Sequence, residues 1–201
     1  MHYLIDLDNT LLDVYHIDEQ GELHFNWSKD FEKDFGVSAE VLHELFDGPF
    51  LIALQKTKSL ERFIAPFLKK HQLDVSVEDF LEYWLSRDMC VNDSLWEWIK
   101  SEKSKGHFFH IASNQPHVRM DYILENLVEW NEVFDWIFTS ARLGIPKSDP
   151  SFFIYAKNYL KVPYNQMCLI DDSKQNIEVA KSLGMNGILF RGIEDLKEKT
   201  K

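Results

Sequence analysis

Apolar and polar positions follow two regimes along the chain. From Gly106 onward, short apolar runs alternate with amphipathic stretches. "HFFHIA" (107–112), "VFDWIF" (133–138), "QMCLID" (166–171) and "NGILF" (186–190) are predicted strands. Helices are predicted over 120–128, over "DPSFFIYAKNYLK" (149–161) and after Asp172. In the last of these, Ile177, Ala180 and Leu183 make an apolar face, and Gly184 stands where a helix-ending glycine belongs. Near the start of the chain, Tyr3, Leu4 and Ile5 read as one more buried strand. Strand and helix alternating in this way predict an α/β fold, a parallel sheet with helices on both faces.

Residues 15–91 break the rhythm. "YHIDEQGELHF" (15–25) reads as a hairpin around Gln20 and Gly21, and Ser38 and Ser76 stand at the starts of amphipathic helical patterns. "SKDFEKDFG" and "SLERFIAPFLKKH" are helical as well. A helical block placed after a first strand is expected to be an insertion, so the expected core is 1–14 plus 92–201. There are no repeats and no low-complexity tract.

Composition narrows the classes. With 201 residues, 45% hydrophobic and 14% aromatic, the chain is long enough for a core domain plus an insertion. Thirty-three acidic residues against 22 basic ones leave a net charge of −11, which argues against nucleic acid or an anionic membrane as the main partner. No apolar run approaches the roughly 18 residues that a membrane span needs. The first strand begins at once, with no leader pattern before it, so a cytoplasmic protein is expected. Cys90 and Cys168 have no zinc-like spacing and are expected to be ordinary buried thiols. No obligatory protein partner is implied.

In parallel sheets, ligands bind beyond the carboxyl ends of the strands. The first strand delivers Asp6, Asp8 and Thr10 there, the next Ser113 and Asn114, and the loop of the third Lys147. The fourth delivers Asp171 and Asp172. The four aspartates carry four negative charges and Lys147 returns one, so the cluster calls for a hard cation such as Mg²⁺. The Ser113 hydroxyl, amides at a helix start and the Lys147 ammonium suit a phosphoryl group, and a carboxylate can accept one as an aspartyl-phosphate.

Asp6-Leu-Asp8-Asn-Thr10, then Ser113, Lys147 and Asp171-Asp172, in that order, resemble the four motifs of the haloacid dehalogenase-like (HAD) hydrolases. The resemblance implies a Rossmann-like core with a helical cap of the first type inserted after the first strand. The "SNQ" segment and the sequence from Ile170 to Phe190 look most like the small sugar-phosphate and nucleotide phosphatases. It further implies that Asp6 is the nucleophile and that Asp8 protonates the leaving oxygen and then serves as base toward water. Thr10 would orient their loop, and the phosphate-binding set would be Thr10, Ser113, Asn114 and Lys147. Mg²⁺ would be held by Asp6, Asp8 (through its backbone carbonyl) and Asp172, with Asp171 binding it directly or through water. The chain departs from the family pattern after the lysine, where Ser148 and Asp149 precede Pro150.

The expectation is therefore a Mg²⁺-dependent phosphatase acting on a small phosphorylated metabolite, a sugar phosphate or nucleoside monophosphate. A phosphomutase on the same core, or a non-catalytic phosphate- or partner-binding module, are the alternatives. Phe25, Asn26 and Trp27 lie where the cap would begin and are either structural or near the leaving group. His2, His107 and His110, like Trp96 and Trp98, are expected to pack rather than to catalyse.

Overall fold

The computed structural model describes residues 1–47, 50 and 59–200. Among these residues one five-stranded sheet has the order β5-β4-β1-β6-β7. Its strands are β1 (His2–Ile5), β4 (Phe108–Ser113), β5 (Trp136–Thr139), β6 (Met167–Asp171) and β7 (Asn186–Leu189), and every pairing is parallel. Alternation along the strands splits the core. Tyr3, Ile5, Phe109, Ile111, Cys168 and Ile170 face one side, where helices Asp93–Ser104 and His117–Asn126 cover them. Leu4, Ala112, Met167 and Leu169 face the other, under helices Pro150–Leu160 and Lys174–Ser182. Successive side chains of a strand point to opposite faces, so a sheet covered on both sides reads as continuous apolar runs.

Several predicted boundaries move. The strand expected over 133–138 begins only at Trp136, because Val133 ends a short helix, Trp130–Val133, with Trp130 and the following Phe134 buried against Trp96. The helix expected over 120–128 runs from His117 to Asn126, Pro116 standing just before its first turn and Leu127 closing it. Ile177 and Ala180 are buried as expected, while Leu183 is only partly so. Gly184 takes φ +87° and donates to Lys181 O, while Met185 N donates to Ala180 O. Together these bonds close the helix in a Schellman motif, which needs a left-handed residue at Gly184. Cys168 is buried, but Cys90 is exposed: its backbone carbonyl pairs with Asp13 N and its side chain faces out.

Between β1 and β4 lie the expected hairpin, β2 (Tyr15–Ile17) with β3 (Leu23–Phe25), and helices Phe31–Phe35, Leu42–Asp47, Glu61–Lys70 and Val77–Arg87. Ser38 and Ser76 do cap helical turns, accepting from Glu40 N and Asp79 N. These elements bury their own cluster, which includes Trp27, Phe31, Leu42, Ile64, Phe80 and Trp84. The stretch 48–58 of this block, apart from Phe50, lies outside the described residues. The two chain crossings that join block to sheet run side by side: Asp13 N donates to Cys90 O at 2.8 Å and Asn92 N to Leu11 O at 2.9 Å. No helix among the described residues is long and apolar enough to cross a membrane.

Candidate active site

Strand β1 lies at the centre of the sheet, between β4 and β6, so the residues following these three strands meet at one edge. Asp6 comes one residue after β1 and is buried. Ser113 ends β4, and its Oγ donates to Asp6 Oδ1 at 3.1 Å. Lys147, 1% exposed, arrives on the loop after the short helix Ser140–Leu143 that follows β5, and points Nζ at Asp6 Oδ1 (2.5 Å) and Asp171 Oδ2 (2.7 Å). Asp171 ends β6. Asn176, one helical turn along, donates to it through Nδ2 at 3.2 and 3.1 Å, and Ser173 N donates to its Oδ1. Carboxylate oxygens of Asp6, Asp171 and Asp172 lie within 4.8 Å of one another. An all-oxygen donor set of that size suits a hard divalent cation.

The loop after β1 is shaped by Asn9, which the sequence reading passed over. Asn9 sits at φ +52°, a left-handed conformation that asparagine tolerates. Its side chain ties the loop to the next segment, Nδ2 donating to Tyr15 O and Oδ1 accepting from Val14 N and Tyr15 N. Thr10 is fully buried and its Oγ1 has no partner among the described residues. Asn114 faces the lysine loop, where its Oδ1 accepts from Lys147 N at 2.9 Å. The departure around Pro150 has a local reason. Asp149 caps the next helix by accepting from Ser151 N, with Pro150 in the first turn, where a missing N–H costs nothing.

Asp8 occupies a different setting from the other three aspartates. Its Oδ1 accepts from Arg119 Nη1 at 2.6 Å and its Oδ2 from Gln115 Nε2 at 2.9 Å. Arg119, 2% exposed, also donates from Nε to Asp88 Oδ2 at 2.8 Å and from Nη1 to Gln115 Oε1 at 2.6 Å. Trp84 Nε1 donates to the same Asp88 oxygen at 3.0 Å. Sequence reasoning missed Arg119 and Asp88. The available signal was a basic residue four positions after Gln115, on the helix face that turns toward the strand ends.

Burial and crowding shift these groups. Burial, with the charges of Asp171 and Asp8, raises the Asp6 carboxyl well above the carboxylate range although Lys147 pulls it down. Burial opposes charge on Lys147, but Asp6 and Asp171 outweigh it and hold the ammonium above its ordinary value. Burial, then the charges of Asp172, Asp8 and Asp6, pushes the Tyr15 phenol up to about 12. Asp172 is also raised, first by burial and then by Asp171. A bound cation would relieve this crowding.

An aromatic cavity of about 230 Å³ opens beside Asp8. Its walls include Tyr15, Phe25, Trp27, Phe46 and Trp84, with Asp88 and Arg119 on its polar side. Phe25 and Trp27 thus line the cavity, while Asn26 instead bonds His16 and Asp13 O at the hairpin. Trp96 and Trp98 are buried in the sheet core, and His2 bonds His110 far along the strands.

The strand ends of one parallel sheet thus gather an aspartate, a hydroxyl, a lysine and an acidic pair at a single edge. The chain belongs to the haloacid dehalogenase-like hydrolases, whose family model matches residues 1–184. It is therefore an enzyme of a hydrolase family. A HAD family enzyme of Bacteroides thetaiotaomicron, solved in complex with magnesium and inorganic phosphate, has a similar fold, with TM-score 0.77 and 19% identity over 100% of this chain and 98% of that one. Flavin mononucleotide hydrolase 1 of Arabidopsis thaliana is 30% identical over 105 residues, 52% of this chain and 42% of the relative. The sesquiterpene phosphatase astK of Aspergillus oryzae is 27% identical over 90 residues, 45% of each. The alignments cover between 16% and 45% of the length of these curated relatives and of a drimenol cyclase of Aspergillus calidoustus.

Proposed function

We propose that the chain is a Mg²⁺-dependent phosphatase that hydrolyses a small phosphomonoester through an aspartyl-phosphate on Asp6. The observation that carries this reading is the meeting of Ser113 Oγ and Lys147 Nζ on one oxygen of Asp6, beside the acidic pair Asp171 and Asp172. In this reading Asp6, Asp171 and Asp172 hold Mg²⁺, together with the backbone carbonyl of Asp8. When bound, the ion neutralises charge on the carboxylates and on the phosphoryl oxygens. Ser113 and Lys147 turn from Asp6 toward the incoming phosphoryl oxygens, leaving an Asp6 oxygen free to attack phosphorus. Asp8 gives a proton to the departing ester oxygen and takes one back from the water that opens the acyl phosphate. Asn114 acts from behind by fixing the Lys147 backbone, and Thr10 packs under the loop.

Residues 15–91 are the proposed cap over a core of 1–14 and 92–201. The paired crossings at Asp13/Cys90 and Leu11/Asn92 give it a narrow attachment. Its aromatic side chains supply most of the cavity beside Asp8, which favours a leaving group with an apolar face, such as a base or another ring, over a bare polyhydroxylated sugar. The flavin mononucleotide hydrolase and the sesquiterpene phosphatase among the relatives support a phosphorylated small molecule of that kind.

The test is phosphate release from a panel of nucleotide, flavin, prenyl, aryl and sugar monophosphates, with Mg²⁺ and with chelator, for wild type and Asp6→Asn. Metal-dependent release that vanishes in Asp6→Asn is expected. Activity that survives the substitution, or silence across the panel in folded protein, would overturn the reading.

A further inference from the structure

The buried Asp8–Arg119–Asp88 chain joins a core loop to the C-terminal end of the helical block, close to where the chain returns to the sheet. Asp88 closes helix Val77–Arg87, Arg119 lies on the helix that follows β4, and Asp8 follows β1. Arg119 cannot move freely: Nε is held by Asp88 and Nη1 by Asp8 and Gln115. Guanidinium donors have a fixed planar geometry, so anchoring one edge on Asp88 sets the direction of the other. With Gln115 on the second oxygen, the Asp8 side chain is held in one rotamer, each oxygen taking one donor. Burying an arginine between two carboxylates is costly unless the geometry is used, and a hydrophobic trio would serve packing as well.

We propose that Arg119, aimed by Asp88, is the positioning residue for the second half-reaction: it presents the Asp8 carboxylate to the water that hydrolyses the Asp6 phosphate. This rests on the aspartyl-phosphate reading above. In the step concerned, water oxygen bonds to phosphorus while the bond from phosphorus to the Asp6 oxygen breaks, its electron pair returning to the Asp6 carboxylate. The water proton passes to Asp8, and inorganic phosphate leaves. Formation of the phosphoenzyme from an activated ester needs no proton from Asp8, so Arg119 contributes little there.

The experiment uses an activated ester, p-nitrophenyl phosphate, with Mg²⁺, and compares wild type, Arg119→Met and Asp88→Asn by steady-state kinetics and by intact mass after acid quench. Arg119→Met is expected to lower kcat about 100-fold, with KM falling in step and kcat/KM nearly unchanged, while phosphorylated protein accumulates. Asp88→Asn keeps the volume and the acceptor for Trp84, and is expected to show the same pattern about tenfold weaker. It carries the test if Arg119→Met does not fold. A parallel fall of kcat and kcat/KM, unchanged kinetics, or lowered kcat with no phosphoenzyme would each overturn the proposal, while Asp6-dependent turnover in wild type leaves the phosphatase reading standing. A wild type that neither turns over nor becomes phosphorylated would bring down both.

Discussion

The ammonium of Lys147 lies 2.5 Å from Oδ1 of Asp6, and both side chains are buried. The lysine also holds Asp171, so it is the neutralising charge for two buried carboxylates. Removing one partner of a buried ion pair leaves an uncompensated charge, which costs about 3–5 kcal/mol. Lys147→Met is therefore expected to lose about that much stability in urea or guanidinium unfolding, besides losing activity.

Asp6→Asn should behave in the opposite way. Burial and neighbouring negative charges already disfavour the ionised form of Asp6. A neutral isostere relieves that crowding, so the variant is expected to be at least as stable as wild type while turnover falls by more than about a thousandfold. Thermal melting measured alongside phosphate release checks the pair of outcomes.

Mg²⁺ should raise the melting temperature, because an ion held by the three clustered carboxylates would bind only when they are brought together. At a hundredfold excess over its dissociation constant the gain is about 2.7 kcal/mol. Asp172→Asn is expected to shrink that gain, read as a smaller metal-dependent shift in the melting curve.

His110 predicts an acid-sensitive fold away from the site. Burial, with the nearby His2, lowers His110 from 6.5 to about 4, Asp135 opposing weakly and Lys103 adding to the effect. Below pH 6.5 the unfolded chain takes up a proton that the folded chain refuses until about pH 4, so stability falls as pH drops through that window and is unaffected above it. The loss at its acid end is on the order of 3 kcal/mol. Denaturant unfolding at pH 7.5 and pH 5 should show it, and His110→Leu should flatten the difference.

Trp84 is 1% exposed, packs in the cluster of the helical block and bonds Asp88. Trp84→Ala is expected to cost about 3–5 kcal/mol in unfolding free energy. Trp84→Phe keeps most of the packing and loses the indole donor, so a cost of about 1–2 kcal/mol is expected. Similar losses in the two variants would show that the bond to Asp88, rather than packing, sets the value.

The sequence by itself determined the parallel sheet, its strand ends and the residues that meet there. An apolar run buried on both faces, ended by a polar residue, is a local pattern, and Asp6, Ser113, Lys147 and Asp171 each close or follow such a run. Asn114 and Asp172 stand next to those residues and were legible for the same reason. Helix caps at Ser38, Ser76 and Gly184 are equally local. Only the tertiary structure decided how Asp8 is held, because Arg119 and the Asp88 that anchors it come from a core helix and from the end of the inserted block, and no spacing along the chain pairs them. The same holds for Asn114, whose acceptor oxygen serves the Lys147 backbone, and for the aromatic cavity, whose walls come from the hairpin, the segment after it and helices Leu42–Asp47 and Val77–Arg87. Side-chain direction across packed elements depends on how whole helices sit against the sheet, and a one-dimensional pattern does not contain that angle.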